Sequence, residues 1–573
     1  MIKYLKPYTG CILLIFLLVF VQTMTDLALP DYMSRIVDTG IVNGDTDFIL
    51  VTGLEMLGVA LAGALCTVLV GLLAARVAAG FSRTMREKVF TQVENFSLAE
   101  FDQFSTASLI TRTTNDIQQV QMFIIMMLRI VVSAPIMGIG GILKAVGKSS
   151  SMSWIIALSV ALLLTLIFIL YSVAMPKFKL MQKLVDRLNL VTRETLSGIL
   201  VVRAFNTQQR ELKKFDDANR NLTKTNLFVN RAMSFMNPMM NLVLNMTTIA
   251  IIWIGAHQID LGTLQVGNMM AFIQYAMQII MSFLMVSMVF IILPRASVSA
   301  ERIREVLDTR PAVRDPMQPE AMGGARQDAV VFQDVTFAYP GADEPVLSHI
   351  SFTAKRGQTT AFIGSTGSGK STLVNLIPRF YDVTEGAILV DGVDIRNVSQ
   401  KALREKIGYV PQKGVLFSGT VDSNIRYGRE TASQDQVWDA VVTAQAADFI
   451  EEKENGLHSE ISQGGTNVSG GQKQRISIAR ALVRQPEIYI FDDSFSALDF
   501  KTDAQLRKAL AAQTRESAVL IVAQRISTIL HADQIIVLDD GEMVGKGTHR
   551  ELLESCDVYR EIALSQLSKE ELA

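Results

Sequence analysis

The sequence predicts an all-α membrane domain of six helices, followed by a soluble α/β domain with a mostly parallel sheet. Three observations predict it. Of 573 residues, 49% are hydrophobic and only 19% are charged, against roughly a quarter charged in soluble domains. Nearly all the long apolar runs precede Pro294. From Val330 onward, short apolar strands alternate with amphipathic helices, the pattern of a parallel sheet. This composition excludes a disordered, collagen-like or disulfide-stapled chain. A net charge of −2 gives no basic bias, so no nucleic-acid partner is expected. Cys11, Cys66 and Cys556 are far apart, no CxxC occurs, and the five histidines show no HExxH spacing, which excludes a zinc site.

Six apolar segments near 10–29, 50–78, 121–143, 152–175, 236–257 and 266–292 are long enough for a bilayer, which needs about 20 residues. The first follows Lys3 and Lys6, but it outlasts a signal-peptide core and no A-x-A site follows, so it reads as a retained span. Residues 1–295 form the transmembrane domain, 296–329 the linker and 330–573 the soluble domain. The linker holds Pro311, Pro316, Pro319, Gly323 and Gly324 after a short helix at Ser299–Leu307. Twelve lysines and arginines lie in the 176–232 connection, only Arg35 in 30–49 and none in 258–265. The positive-inside rule therefore places 79–120, 176–232 and both termini in the cytoplasm, with Lys144 and Lys148 as outer exceptions.

The two cytoplasmic connections hold few Gly or Pro and keep a helical apolar rhythm, as in Leu180, Leu184, Leu188 and Val191. The spans are expected to run on as helices and turn near Phe101–Ser108 and Ser197–Asn206. Asp26, Arg129, Asn241, Asn245, Asn268, Gln274 and Gln278 are polar residues inside spans. Membrane charges are expensive, so Asp26 and Arg129 read as facing a cavity or a partner helix, or as snorkelling. Met277, Met281, Met285 and Met288 form a helical stripe that fits an adaptable apolar site or ordinary helix packing.

In the soluble half, Gly364-Ser-Thr-Gly-Ser-Gly-Lys-Ser371 matches G-x-x-x-x-G-K-[ST], between a strand at Thr359–Ile363 and a helix start at Ser371–Ile377. Glycines at 364, 367 and 369 let the backbone N–H groups of Ser365, Thr366 and Ser368 wrap phosphates. Lys370 reaches the β- and γ-phosphates, and the hydroxyl of Ser371, followed by Thr372, suits Mg²⁺. A second apolar strand, Ile488-Tyr-Ile-Phe491, delivers Asp492 and Asp493 in the Walker B arrangement, with Asp492 organising Mg²⁺. ATP and Mg²⁺ are the expected ligands.

Between these motifs lies Val468-Ser-Gly-Gly-Gln472, which resembles the LSGGQ signature of ABC ATPases with Val for Leu. Tyr339 resembles the aromatic that stacks on adenine. Gln412, in Tyr-Val-Pro-Gln-Lys, resembles the Q-loop glutamine that senses Mg²⁺ and the membrane domain. Ser496-Ala-Leu-Asp499 resembles the D-loop. The six-span half is similar to the ABC exporter fold. The resemblance therefore implies a membrane all-α six-helix exporter domain followed by a cytoplasmic α/β P-loop NTPase domain of ABC type. It also implies that Ser469, Gly470, Gly471 and Gln472 complete an ATP site on a second nucleotide-binding domain, so the chain acts as a dimer.

Two departures from the family pattern matter most. After Walker B the family has Glu to polarise the attacking water. Here stands Asp493, shorter by one methylene, about 1.5 Å. The switch segment has His in A-H-R, whereas this chain reads Ala523-Gln524-Arg525. Gln524 can hydrogen-bond a phosphate but has no titratable imidazole. Gln463 also replaces a usual Glu before the signature. The chain thus resembles the degenerate-site subunit of heterodimeric multidrug-type ABC exporters. The resemblance implies a partner half-transporter with intact Glu and His, a place in the cytoplasmic membrane, and a hydrophobic small-molecule, lipid or peptide cargo. No peptidase domain precedes the first span, which disfavours the peptide-processing type. A regulatory ATP-binding membrane subunit and a weak homodimer are the competing expectations.

Overall fold

The computed structural model describes residues 1–567, except the side chains of Ile2, Tyr171, Lys179, Ser287, Met288, Phe290 and Ile291. The chain divides into two compact units. One comprises Met1–Val93 and Ala107–Thr309, the other Glu94–Thr106 and the chain from Arg310 onward.

The first unit is helical. Among the described residues, six stretches are long and apolar enough to cross a membrane: Lys3–Ile41, Thr46–Glu94, Thr106–Lys148, Ser150–Ser197, Gln208–Asp260 and Val266–Val286. The helices outrun the apolar spans. The 49-residue helix Thr46–Glu94 is about 70 Å long, roughly twice the hydrocarbon core. Its apolar stripe continues through the fully buried Val77, Phe81, Met85 and Val89, which keeps the polar end helical. The last helix, Val266–Asp308, runs straight through Pro294. Ser299, Ile303 and Val306 stay buried at helical spacing, and this packing outweighs the break that a proline favours. The helix therefore continues into the segment read as linker, and the expected short helix Ser299–Leu307 is the end of the long one. At its start, the Asp38 carboxylate accepts the Gly267 N–H at 2.6 Å and caps the helix from another element. Lys144 and Lys148, the outer exceptions in the charge pattern, both pair with Asp31, at 2.7 and 3.1 Å.

The connections turn at short helices. The first turn comes earlier than Phe101–Ser108. The chain leaves the helix after Glu94 and re-enters one at Leu98–Phe104. The Ser97 N–H and hydroxyl both donate to Glu100 Oε2 at 2.7 Å and start that helix. Ser105, at φ 53°, ends it. Two carboxylates tie this segment into the second unit. Glu100 accepts the Ala312 N–H at 3.0 Å, and Asp102 accepts the Tyr381 hydroxyl at 3.1 Å. The second turn is the short helix Ile199–Ala204, between Ser197 and Gln208.

Twelve strands are described in the second unit: β1 (Asp328–Phe337), β2 (Leu347–Lys355), β3 (Thr359–Gly364), β4 (Glu385–Val390), β5 (Val393–Asp394), β6 (Ile407–Val410), β7 (Gly419–Thr420), β8 (Glu460–Ile461), β9 (Ile488–Asp492), β10 (Ala518–Val522), β11 (Gln534–Asp539) and β12 (Glu542–Gly547). The main sheet runs β12-β11-β3-β10-β9-β6, parallel except at β12. β9 and β10 are buried along their whole length, as a sheet covered on both faces requires. A four-stranded antiparallel sheet, β2-β1-β4-β5, was not expected from the sequence. Asp391, fully buried after β4, joins the two sheets. It accepts Arg356 at 2.8 Å from the end of β2, Lys406 from the start of β6, and the Arg326 N–H at 3.2 Å.

Candidate functional site

Four parallel strands deliver the expected site residues at one edge. The P-loop follows β3, Gln412 follows β6, Asp492 and Asp493 close β9, and Gln524 follows β10. Ligands of open parallel sheets bind outside the carboxyl ends of their strands.

Two loop glycines are obligatory on geometric grounds. A Cβ at Gly364 would stand 1.9 Å from the Leu538 carbonyl oxygen. Gly369 has φ 90°, and a Cβ there would meet Leu347 at 2.6 Å. The loop through Ser365, Thr366, Gly367 and Ser368 leads into the helix Lys370–Leu376. The Lys370 ammonium curls back over it, donating to the carbonyls of Gly364 and Ser365 at 3.0 and 2.6 Å and to Ser368 Oγ at 3.2 Å. Burial pulls its pKa below the ordinary lysine value, against the opposing carboxylates of Asp493 and Asp492.

The Ser371 hydroxyl donates to Asp492 Oδ1 at 2.8 Å. A hydroxyl and a buried carboxylate are the hard oxygen donors that Mg²⁺ takes when phosphates and water complete its shell. Among the described residues, no cluster of three or more His, Cys, Asp or Glu forms a protein-only metal cage. The Ser371 hydroxyl and the Asp492 carboxylate fit a nucleotide-bound Mg²⁺ by their oxygen donors. Burial raises the Asp492 carboxyl above its usual range, opposed chiefly by the Ser371 hydrogen bond.

Asp493 is the centre of the arrangement. Its backbone is left-handed at φ 46°, and its side chain is buried. One oxygen, Oδ2, accepts both the Gln524 amide at 2.7 Å and the Gln412 amide at 3.1 Å. Burial raises this carboxyl too, against the hydrogen bonds of Gln412 and Ser496. Tyr339 lies beside the loop. Its hydroxyl shares a hydrogen bond with Thr372 Oγ1 at 2.9 Å, and its ring packs edge-on against Phe337 and Tyr381.

The signature is not part of this cluster. Ser469 caps the helix Gly470–Leu482 in a reciprocal box with Gln472, at 3.3 and 3.0 Å. No hydrogen bond among the described residues joins Ser469, Gly470, Gly471 or Gln472 to the P-loop. Ser469 and Gly470 are exposed, and a Cβ at Gly470 would meet nothing within 4 Å. One residue was missed in the sequence. Asp539, ending β11, accepts the Ser365 hydroxyl at 3.4 Å. The signal was present, because Val537-Leu538-Asp539 is another apolar strand ending in an acid.

The chain matches the family model of the ABC transporter transmembrane region over residues 12–283 and the ABC transporter model over residues 347–496. An uncharacterized ABC transporter ATP-binding protein of Mycobacterium tuberculosis is 43% identical over 98% of this chain and 97% of its own length. An ATP-dependent lipid A-core flippase of Desulfotalea psychrophila is 33% identical, with 83% of each chain covered. Among solved structures, a bacterial Atm1-family ABC exporter with ATP bound superposes with a TM-score of 0.80 at 27% identity, covering 98% of this chain and 99% of that one.

Proposed function

The chain belongs to the ABC transporter family as an exporter half-transporter, and from that premise we propose that it pairs with a different half-transporter and carries the weak ATP site of the pair. One observation supports this most. The carboxylate at the position of the water-polarising base is an aspartate, and one of its oxygens is already held by two glutamine amides. A general base must reach the water and hold it in line. Asp493 is too short for the reach, and Gln524 can neither take up nor release a proton at neutral pH. Lys370 and the loop N–H groups bind the phosphates, and Tyr339 takes the adenine. Ser371, Asp492 and Gln412 would hold Mg²⁺, which would supply charge neutralisation for the phosphates. Binding is thus complete while cleavage is impaired. Ser469, Gly470, Gly471 and Gln472 serve the partner's site, where intact Glu and His do the chemistry.

The charge pattern supports cytoplasmic termini and a cytoplasmic nucleotide-binding domain in the cell membrane. The cargo class is amphipathic or hydrophobic, of drug or lipid type. The lipid A-core flippase among the relatives supports the lipid branch.

The purified chain alone is expected to hydrolyse ATP at least about 100-fold more slowly than the co-expressed pair, the lower range of a general base's contribution. Steady-state phosphate release measures it. Comparable turnover by a verified homodimer refutes the heterodimer assignment. Asp493→Glu alone is expected to recover little, because Gln524 remains, and Asp493→Glu with Gln524→His to recover more.

A second expectation concerns occupancy. One labelled ATP should stay on this chain's P-loop through many turnovers of the pair. Photo-crosslinking after a chase with unlabelled ATP reads it, and equal exchange at both sites contradicts it.

A further inference from the structure

Within the first unit, a cavity of about 840 Å³ opens among five of the six long helices. Among the described residues, Arg129 is the lone charged one in its lining. Among the described residues, its guanidinium has neither an ion pair nor a hydrogen bond. The amides of Gln22, Asn237 and Asn241 line the same space and likewise have no side-chain partner. Asp26, one turn along from Gln22, is absent from the lining. It faces Gly63 on the helix Thr46–Glu94, where an added Cβ would lie 3.8 Å from its carboxylate.

The backbone presents Arg129 to the cavity. Residues Met127–Val131 form a π-helical turn, and Pro135 follows one turn on. Proline lacks the N–H that the Val131 carbonyl would accept, so the α-helical ladder is interrupted here. A π turn inserts an extra residue and re-aims the side chains it carries. An uncompensated guanidinium at membrane depth is costly and marks a function. Met126, Met236, Met240, Met281 and Met285 supply a soft, polarizable wall around it. A smaller cavity of about 180 Å³ shares Ser133, Met281 and Met285 and contains Gln278, whose Oε1 is buried without a donor among the described residues. From the methionine stripe, Met277 lines this smaller space, and the Met288 side chain lies outside the described residues.

We propose that this cavity holds the cargo and selects an amphipathic organic anion, its carboxylate, sulfonate or phosphate on Arg129 and the three amides, its alkyl or aromatic body against the methionines. The assignment rests on the exporter reading and narrows its cargo. The anion is either a lipid headgroup or a free organic acid.

The test uses the full chain in nanodiscs of zwitterionic lipid, with empty discs as background. Pyrenebutyrate, pyrenebutanol and pyrenebutylamine share one body and differ only in the head, and fluorescence anisotropy reports binding. The carboxylate is expected to bind about tenfold tighter than the alcohol, as one charge-assisted hydrogen bond warrants, and the amine weakest. Arg129→Ala should remove that preference, Arg129→Lys keep most of it, and Arg129→Glu transfer it to the amine. Competition by added phosphatidylglycerol assigns the anion to a lipid headgroup. Failure to compete assigns it to a free acid. Equal binding of the three probes, or a preference that survives Arg129→Glu, overturns the proposal. ATP retention at the P-loop, measured in the same discs, separates the two readings. Charge-blind binding with ATP retained refutes the cargo assignment alone, whereas loss of ATP binding by the unmutated chain refutes the exporter reading beneath it. The comparison of probes on the unmutated chain stands even if a variant misfolds.

Discussion

Gly470→Asp is expected to bring the ATPase of the co-expressed pair down to near background, while Asp493→Asn lowers it by less than about threefold. In most ATPases the acid after Walker B is the more sensitive position. Here it serves a site whose cleavage step is already impaired, so little remains to be lost. Asparagine is the appropriate control because Asp493 sits at φ 46°, a conformation Asn tolerates. Gly470 opens its helix with free space where a Cβ would stand. An aspartate there is compatible with this chain's own fold, and an acid in a first helical turn favours the helix dipole. Its damage would fall on the partner's nucleotide. Two like charges about 4 Å apart at an effective dielectric near 20 repel by about 4 kcal/mol, close to three powers of ten in rate. Steady-state ATPase and efflux of both variants decide the matter. If Asp493→Asn does the greater harm, this chain's own site is the catalytic one.

Asp391→Asn should destabilise the nucleotide-binding unit by about 3 kcal/mol and lower its unfolding transition by about 6–12 °C. The carboxylate is fully buried between Arg356 and Lys406. Removing its charge leaves both cations facing only Glu487, which already contacts each of them. Asn again keeps the left-handed backbone, φ 51° at this position. The pH dependence has a definite sign. Burial would raise the Asp391 carboxyl, but Lys406, Arg356 and the Arg326 N–H together hold it below the usual carboxylate range. Its stabilisation is therefore complete above the unfolded value of about 3.9 and is lost as pH falls through the lower folded value. Scanning calorimetry of both proteins should show a constant gap from neutral pH down to about pH 4, closing only below it. A gap that closes between pH 7 and 5 contradicts this account.

The elements legible in the sequence are those whose chemistry is local. The P-loop, the strand Ile488–Asp492 with its terminal acids, and the Val468–Gln472 signature segment each need only a few consecutive residues. Apolar length alone marks the six long helices. What escaped the sequence depends on partners far along the chain. Nothing near Asp38 shows that it caps a helix starting at Val266, and nothing near Asp391 shows its pairing with Arg356 and Lys406. Pro294 is a related case. Its local preference argues for a break, but the burial of Ile303 and Val306 that keeps the helix intact is tertiary. The Arg129 cavity falls between these cases. The sequence shows a charge in a span, while the three amides and four of the five methionines that give it meaning come from other helices.

The outward-facing Ser469 and Gly470 have a genetic consequence. If each copy of this chain lends its signature to one partner molecule, a poisoned copy silences one partner and no more. In a cell making normal and Gly470→Asp copies side by side, efflux should fall in direct proportion to the mutant share. A self-paired chain that needs two sound copies per assembly would instead lose activity as the square of the normal share. At equal expression the first case retains one half of the transport and the second one quarter, so the dominance of a single allele counts how many copies of this gene product each working transporter contains.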